Sequence, residues 1–197
     1  MMGRRLIVCT ALLMIGTLFS TQANEIDTSG MRPYADADGY VIYSAVLRRT
    51  GAKAFVISNE TMQGSLCSHP SFPKIKTLDS AFANYAEVNK KKWILQRQFE
   101  VGVPYETLDP RQDLQQRRQD YSKSDKDSDG WIGFFKRYPN VKGETIFSAV
   151  GFNQERNIAI VSVGVGCGSL CGEGSSQVWQ RSCGEWKFLA ATCLSMS

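Results

Sequence analysis

Asp125, Asp127 and Asp129 stand at alternate positions before Gly130, with Ile132 two residues further on. That pattern opens a calcium loop of the EF-hand type. Its twelfth position must be a bidentate Glu, and here it is Lys136, which replaces a ligand with a cation. Calcium is therefore the one metal the sequence offers. It is set against a solvated loop in which Asp129 caps the helix that follows. His69 is the only histidine, so a hydrolase using a Ser–His or Cys–His pair must use it as base. It stands two residues from Cys67, and proximity in a loop is no evidence of geometry.

The glycine-rich run Gly166 to Gly174 encloses Cys167 and Cys171. Gly166, Gly168, Gly172 and Gly174 would let a loop take positive φ, and a Cys167–Cys171 bridge would fix its shape. This is the candidate binding loop, since preformed loops on a rigid scaffold often carry recognition. A phosphate loop is excluded: a strand, not a helix, follows the glycines, and no Lys-Ser/Thr pair follows them. If the last hairpin turns at Gly184, Cys193 falls opposite Ser175 or Ser176. It then competes as a partner for Cys167 or Cys171. Cys183 lies at the other end of the sheet, free or paired with Cys67.

Disulfides are expected if the chain is exported to an oxidising compartment, and the N-terminus reads as an export signal. Arg4 and Arg5 precede an apolar run from Leu6 to Phe19, and Ser20 to Ala23 ends in small residues. This is the layout of a cleavable signal peptide over residues 1–23. The run is too short to cross a bilayer, which takes about 20 apolar residues, and no other segment is long enough. Export to the periplasm or the exterior is the expectation. Zinc held by cysteines would need reduced thiolates, which that route disfavours.

The whole chain has 197 residues and a net charge of +4. Its one basic triplet, Lys90 to Lys92, falls in a helical stretch, so no basic footprint for nucleic acid is present. After a signal of 23 residues, the length suits one domain with a real core.

The elements that must hold these residues follow from periodicity. Residues 24–38 read as a flexible lead-in, and 39–197 as a single domain. Tyr40, Tyr43, Val46 and Leu47 make the stripe of a short helix ended by Gly51. Ala54 to Ile57 is a strand, residues 78–90 a helix, and Gly102 to Leu108 a further strand. Residues 109–130 hold only Leu114 and Tyr121 as large apolar or aromatic side chains, so they read as an exposed, mobile excursion. Trp131, Phe134, Phe135 and Tyr138 then mark one face of a helix ending at Pro139. Four strand-like runs follow: Thr145 to Phe152, Ile158 to Val165, Gln177 to Arg181 and Trp186 to Ala191. Their short connections predict an antiparallel meander. The fold class is α+β, with two or three helices covering one face of an antiparallel sheet.

"FSAVGFN" (Phe147 to Asn153), "CGSLCGEG" (Cys167 to Gly174) and "GEW" (Gly184 to Trp186) follow "WIGFFKRYP" (Trp131 to Pro139) in that order. Together they resemble a family of secreted bacterial proteins without an assigned activity. "YVIYSAVL" (Tyr40 to Leu47) and "FVISNET" (Phe55 to Thr61) match its start more weakly. The resemblance implies a secreted α+β domain and supplies no catalytic residue. The family usually carries Arg after the Ser of the first motif, where this chain has Ala149. The expected function is a non-enzymatic module binding a protein or surface ligand. The alternatives are a secreted hydrolase and a calcium-stabilised domain.

Overall fold

The computed structural model describes residues 30–63, 78–122 and 130–196. In chain order they form β1 (Arg32–Pro33), α1 (Ala37–Arg49), β2 (Phe55–Ser58), α2 (Leu78–Val88), β3 (Trp93–Ile94) and β4 (Tyr105–Leu108). Then come α3 (Pro110–Ser122), α4 (Trp131–Arg137), β5 (Glu144–Phe147), β6 (Gly151–Phe152), β7 (Ile158–Gly168), β8 (Cys171–Ser182) and β9 (Glu185–Met196).

The α+β class stands, but the sheet is mixed. Its order is β4-β2-β5-β7-β8-β9, with β6 pairing β7 beyond the end of β5. The C-terminal half is the expected antiparallel meander. On the other side, β2 runs parallel to both β4 and β5. All four residues of β2 are buried, as a parallel strand covered on both faces requires. Helices therefore cover two faces rather than one. Phe55, Ile57, Ala159 and Val161 join α1 in the largest core. The alternate residues turn the other way: Ile158 and Ile160 meet α2, and Val56 meets Phe134 of α4.

The first of the four expected strand runs is split. Phe147 pairs with Val163 and Gly151 with Ile160, so Ser148 to Val150 oppose one residue fewer and form a bulge. Asn89 clamps that bulge, accepting from the Ala149 amide at 2.8 Å and donating to the Ala149 carbonyl at 3.0 Å. Gly151 must be glycine because a Cβ there would fall on the Tyr85 backbone of α2.

Residues 30–38 are not a loose lead-in. Arg32 and Pro33 pair with Trp93 and Ile94. Tyr34 is buried among Tyr40, Tyr43 and Trp93. Asp36 caps α1 by accepting from the Gly39 amide at 3.2 Å, a standard way to satisfy a helix's first amides.

Of the polar stretch after β4, residues 110–122 form a helix, α3. Asp109 accepts from the Arg111 amide at 2.8 Å, and Pro110 takes the first helical position, where its missing amide costs nothing. Apolar burial does not hold this helix, since Leu114 and Tyr121 are exposed. Ions do. Asp113, 3% exposed, meets Arg117 at 2.5 Å and Arg137 at 3.3 Å. Arg117 also reaches Glu144 of β5 at 3.3 Å, and Arg137 pairs with Asp120. Helix α4 has Gly130 at its N-cap position, with no side-chain bond from it; Asp129, the expected cap, lies outside the described residues. Of its expected apolar face, Phe134 is fully buried while Phe135 is exposed, as is neighbouring Ile132. Among the described residues no helix is long and apolar enough to cross a membrane.

Candidate functional site

Strands β7 and β8 run straight through the segment expected to be a loop. Gly166 pairs with Gly172, and Gly164 with Gly174. None of Gly166, Gly168, Gly172 and Gly174 has positive φ. Here glycine works by lacking a side chain. Gly164 and Gly166 share a face with Ile158 and Ile160, and the indole of Trp131 comes within 3.6 Å of where a Gly166 Cβ would stand. The true turn is only Ser169-Leu170, closed by the Gly168–Cys171 pair.

Pairing with β5 ends at Glu144–Gly166, and pairing with β9 ends at Glu173–Met196. Cys167 to Gly172 therefore extend past the paired residues of β5 and β9 as the tip of the hairpin. The tip is stapled by a Cys167–Cys171 disulfide with a Cα separation of 5.0 Å. This resolves the competition with Cys193, whose backbone lies in the register break opposite Ser175, between the Ser176–Thr192 and Gly174–Ser195 pairs. Cys183 is an exposed, free thiol in the β8–β9 turn, at the far end of the hairpin. At the stapled tip, Leu170 is 91% exposed.

On the α1 face, the same two strands wall a pocket of about 210 Å³. Its apolar lining comes from Val46 and Leu47 of α1, Phe55 of β2, and Val163 and Val165 of β7. Its polar rim includes Thr50, Lys142, Glu173, Ser175 and Gln177. Register explains the mixture: Thr145, Val165 and Glu173 are directly paired across three strands, so their side chains share one face. Gly143 lies at the mouth with φ +153°, and the Gly166 carbonyl occupies the space a Cβ would need.

A second, more open depression of about 760 Å³ shares Ala54 and Phe55 with the first. Lys53, Arg97, Tyr105, Glu106 and Tyr138 line it. Arg97 donates to the Tyr105 carbonyl at 3.3 Å, and its guanidinium lies 5.4 Å from the Tyr105 ring. Burial, reinforced by Glu106, holds the Tyr138 phenol above its ordinary pKa, so it stays a neutral donor. The two depressions adjoin at Ala54 and Phe55, at the N-terminal end of β2, and together are called the trough: the first is lined from α1, the second also by Val56, Tyr138 and Val141 of the α4 side.

The other chemistry-bearing groups stand apart from the trough. Tyr85, Ser162 and Ser176 are linked hydroxyl to hydroxyl, each step 2.7 Å, and Ser148 Oγ accepts from the Ser162 amide at 2.8 Å. All four are buried, and among the described residues their bonds join one another and main chain. Glu144 is buried in the α3 ion cluster, where desolvation raises its pKa despite Arg117. Its Oε1 has no hydrogen-bond partner among the described residues. No group of three or more metal-ligating side chains suited to an ion is found among the described residues. Asp125, Asp127 and Asp129, as well as Cys67 and His69, lie outside the described residues. Ala149, in place of the arginine of the resembled family, is fully buried, in the core under α1 rather than in the trough.

The glycine-cysteine motif lies on the hairpin that walls the pocket but mostly beyond the pocket itself. Of the candidate loop, only Glu173 and Gly174 line it. The sequence signal for the pocket is the apolar alternation of Val161, Val163 and Val165, which carries the α1-facing side of β7 on from the core into the pocket. The chain matches no protein-family model, no curated protein sequence and no solved structure.

Proposed function

We propose that this chain is an exported binding module, and that the trough along β2 is where it takes a protein segment or surface ligand. One observation carries the reading: two depressions of different character meet at Ala54 and Phe55, and a disulfide-stapled hairpin forms one wall. Binding sites are typically apolar concavities with a few polar groups that fix orientation. The deep end fits that description. At about 210 Å³ it exceeds the roughly 150 Å³ of a cavity that holds benzene, so it can accept one aromatic ring or a branched aliphatic group. The wide end, with Lys53 and Arg97, suits the polar continuation of the same ligand. Export rests on the pattern of residues 1–23 and the cysteine content.

The test is a titration of the purified protein, at a dilution where it is monomeric, with anilinonaphthalene sulfonate, an apolar anion that fluoresces when sheltered from water. Saturable binding at one site is expected, and Val163→Trp, which fills the pocket, should remove it. No saturable binding, or binding indifferent to Val163→Trp, contradicts the reading.

A further inference from the structure

We infer that the deep end of the trough receives the hairpin tip of a second copy of this chain, Leu170 of each copy entering beside Val163 of the other about a two-fold axis. The inference rests on the reading of the trough as a binding site and names its partner.

Leu170 is 91% exposed on a tip that the Cys167–Cys171 bridge already holds in shape. A large aliphatic side chain in that position loses apolar exposure on docking, and a stapled loop has little conformational freedom left to lose. No residue from Cys167 to Gly172 is charged, so burying the tip strands no ion.

Knob and hole lie on one hairpin. Val163, Val165 and Ser175 wall the pocket only a few residues from the tip. A patch carrying both halves of a contact is self-complementary, which a two-fold interface requires. Charge fits the same symmetry. Lys142 and Glu173 stand on the pocket rim, and neither enters an ion pair among the described residues. A two-fold axis through the paired hairpins lets each Lys142 face the Glu173 of the second copy. Such pairs set register and exclude wrong partners.

Sedimentation velocity on the purified protein over a concentration series tests this. The wild type should shift from monomer to dimer as concentration rises. Leu170→Asp should stay monomeric with an unchanged melting temperature. Lys142→Glu should weaken association at least about tenfold through like-charge contact, and adding Glu173→Lys should restore it. A wild type that stays monomeric throughout, or a dimer indifferent to Leu170→Asp, overturns the inference. Anilinonaphthalene sulfonate separates the two failures. A monomer that still binds the dye in a Val163-dependent way refutes only the second copy, whereas a monomer that binds no dye removes the trough as well.

Discussion

The core under α1 and the attachment of α3 are held by different physics. Under α1, Tyr34, Tyr40, Tyr43, Phe99 and Phe147 form a continuous aromatic cluster, with ring centroids 4.6 to 6.4 Å apart. The tyrosine hydroxyls are not stranded there. Tyr43 donates to the Ser148 carbonyl at 2.8 Å and Tyr40 to the Tyr34 carbonyl at 3.2 Å. Burial keeps both phenols protonated. On the opposite side, α3 is fastened by guanidinium and carboxylate groups, with Arg117 also lying 4.4 Å over the Trp131 ring. The first region gains from removing apolar surface from water. The second offsets desolvation of its ions with their mutual attraction, which leaves a narrow margin. The aromatic core is therefore expected to fail globally and the ionic attachment of α3 locally.

Tyr43→Ala should give the largest effect, about 3–5 kcal/mol in denaturant unfolding, as for other large buried aromatic side chains. A loss below about 1 kcal/mol would break the comparison. Asp113→Ala comes next, because it leaves Arg117 and Arg137 without their shared partner. Breaking a buried pair costs about 3 kcal/mol, but α3 can release before the sheet unfolds. Hydrogen exchange should quicken over residues 110–122 and stay unchanged over 37–49. Equal acceleration in both segments would show that α3 is not a separate unit.

Glu144 sharpens the contrast. Its carboxyl titrates above its ordinary 4.5 because burial, and secondarily Asp113, outweigh Arg117. The folded state thus binds its proton more tightly than the unfolded state. The stability it contributes is fully present below the unfolded pKa and is lost as pH rises through the folded value. Glu144→Gln, which mimics the protonated form, should remove that part of the pH dependence. It should leave the protein at least as stable at pH 7, read from melting curves across pH 4 to 8. A large loss at neutral pH would mean that the Arg117 contact outweighs desolvation.

The same contrast explains what could be read before the coordinates. The stripe of Tyr40, Tyr43, Val46 and Leu47 announces α1 because one face of it is apolar, and the turns at Asn153 to Asn157 and at Gly184 announce the meander. Helix α3 stayed hidden because apolar periodicity cannot see a helix held by charge. Its signals were of another kind: Asp109 before Pro110 at the start, and Asp113 four residues ahead of Arg117. The parallel half was hidden for a topological reason. Nothing in the four residues of β2 says that its neighbours are β4 and β5, about 50 and 90 residues later in the chain. The paired glycines of β7 and β8 looked like a loop because glycine in a strand and glycine in a turn are the same letter. Only the register separates them.

The most direct test of the trough is a heteronuclear NMR titration of the isotope-labelled Leu170→Asp protein, in which no second copy fills the trough, with anilinonaphthalene sulfonate. The account predicts saturating shift changes centred on the amides of Val163, Val165, Thr145 and Phe55, fading across Ala54 toward Tyr105, with α3 silent. Changes confined to the exposed faces of α3 and α4, or scattered without saturation, would contradict it.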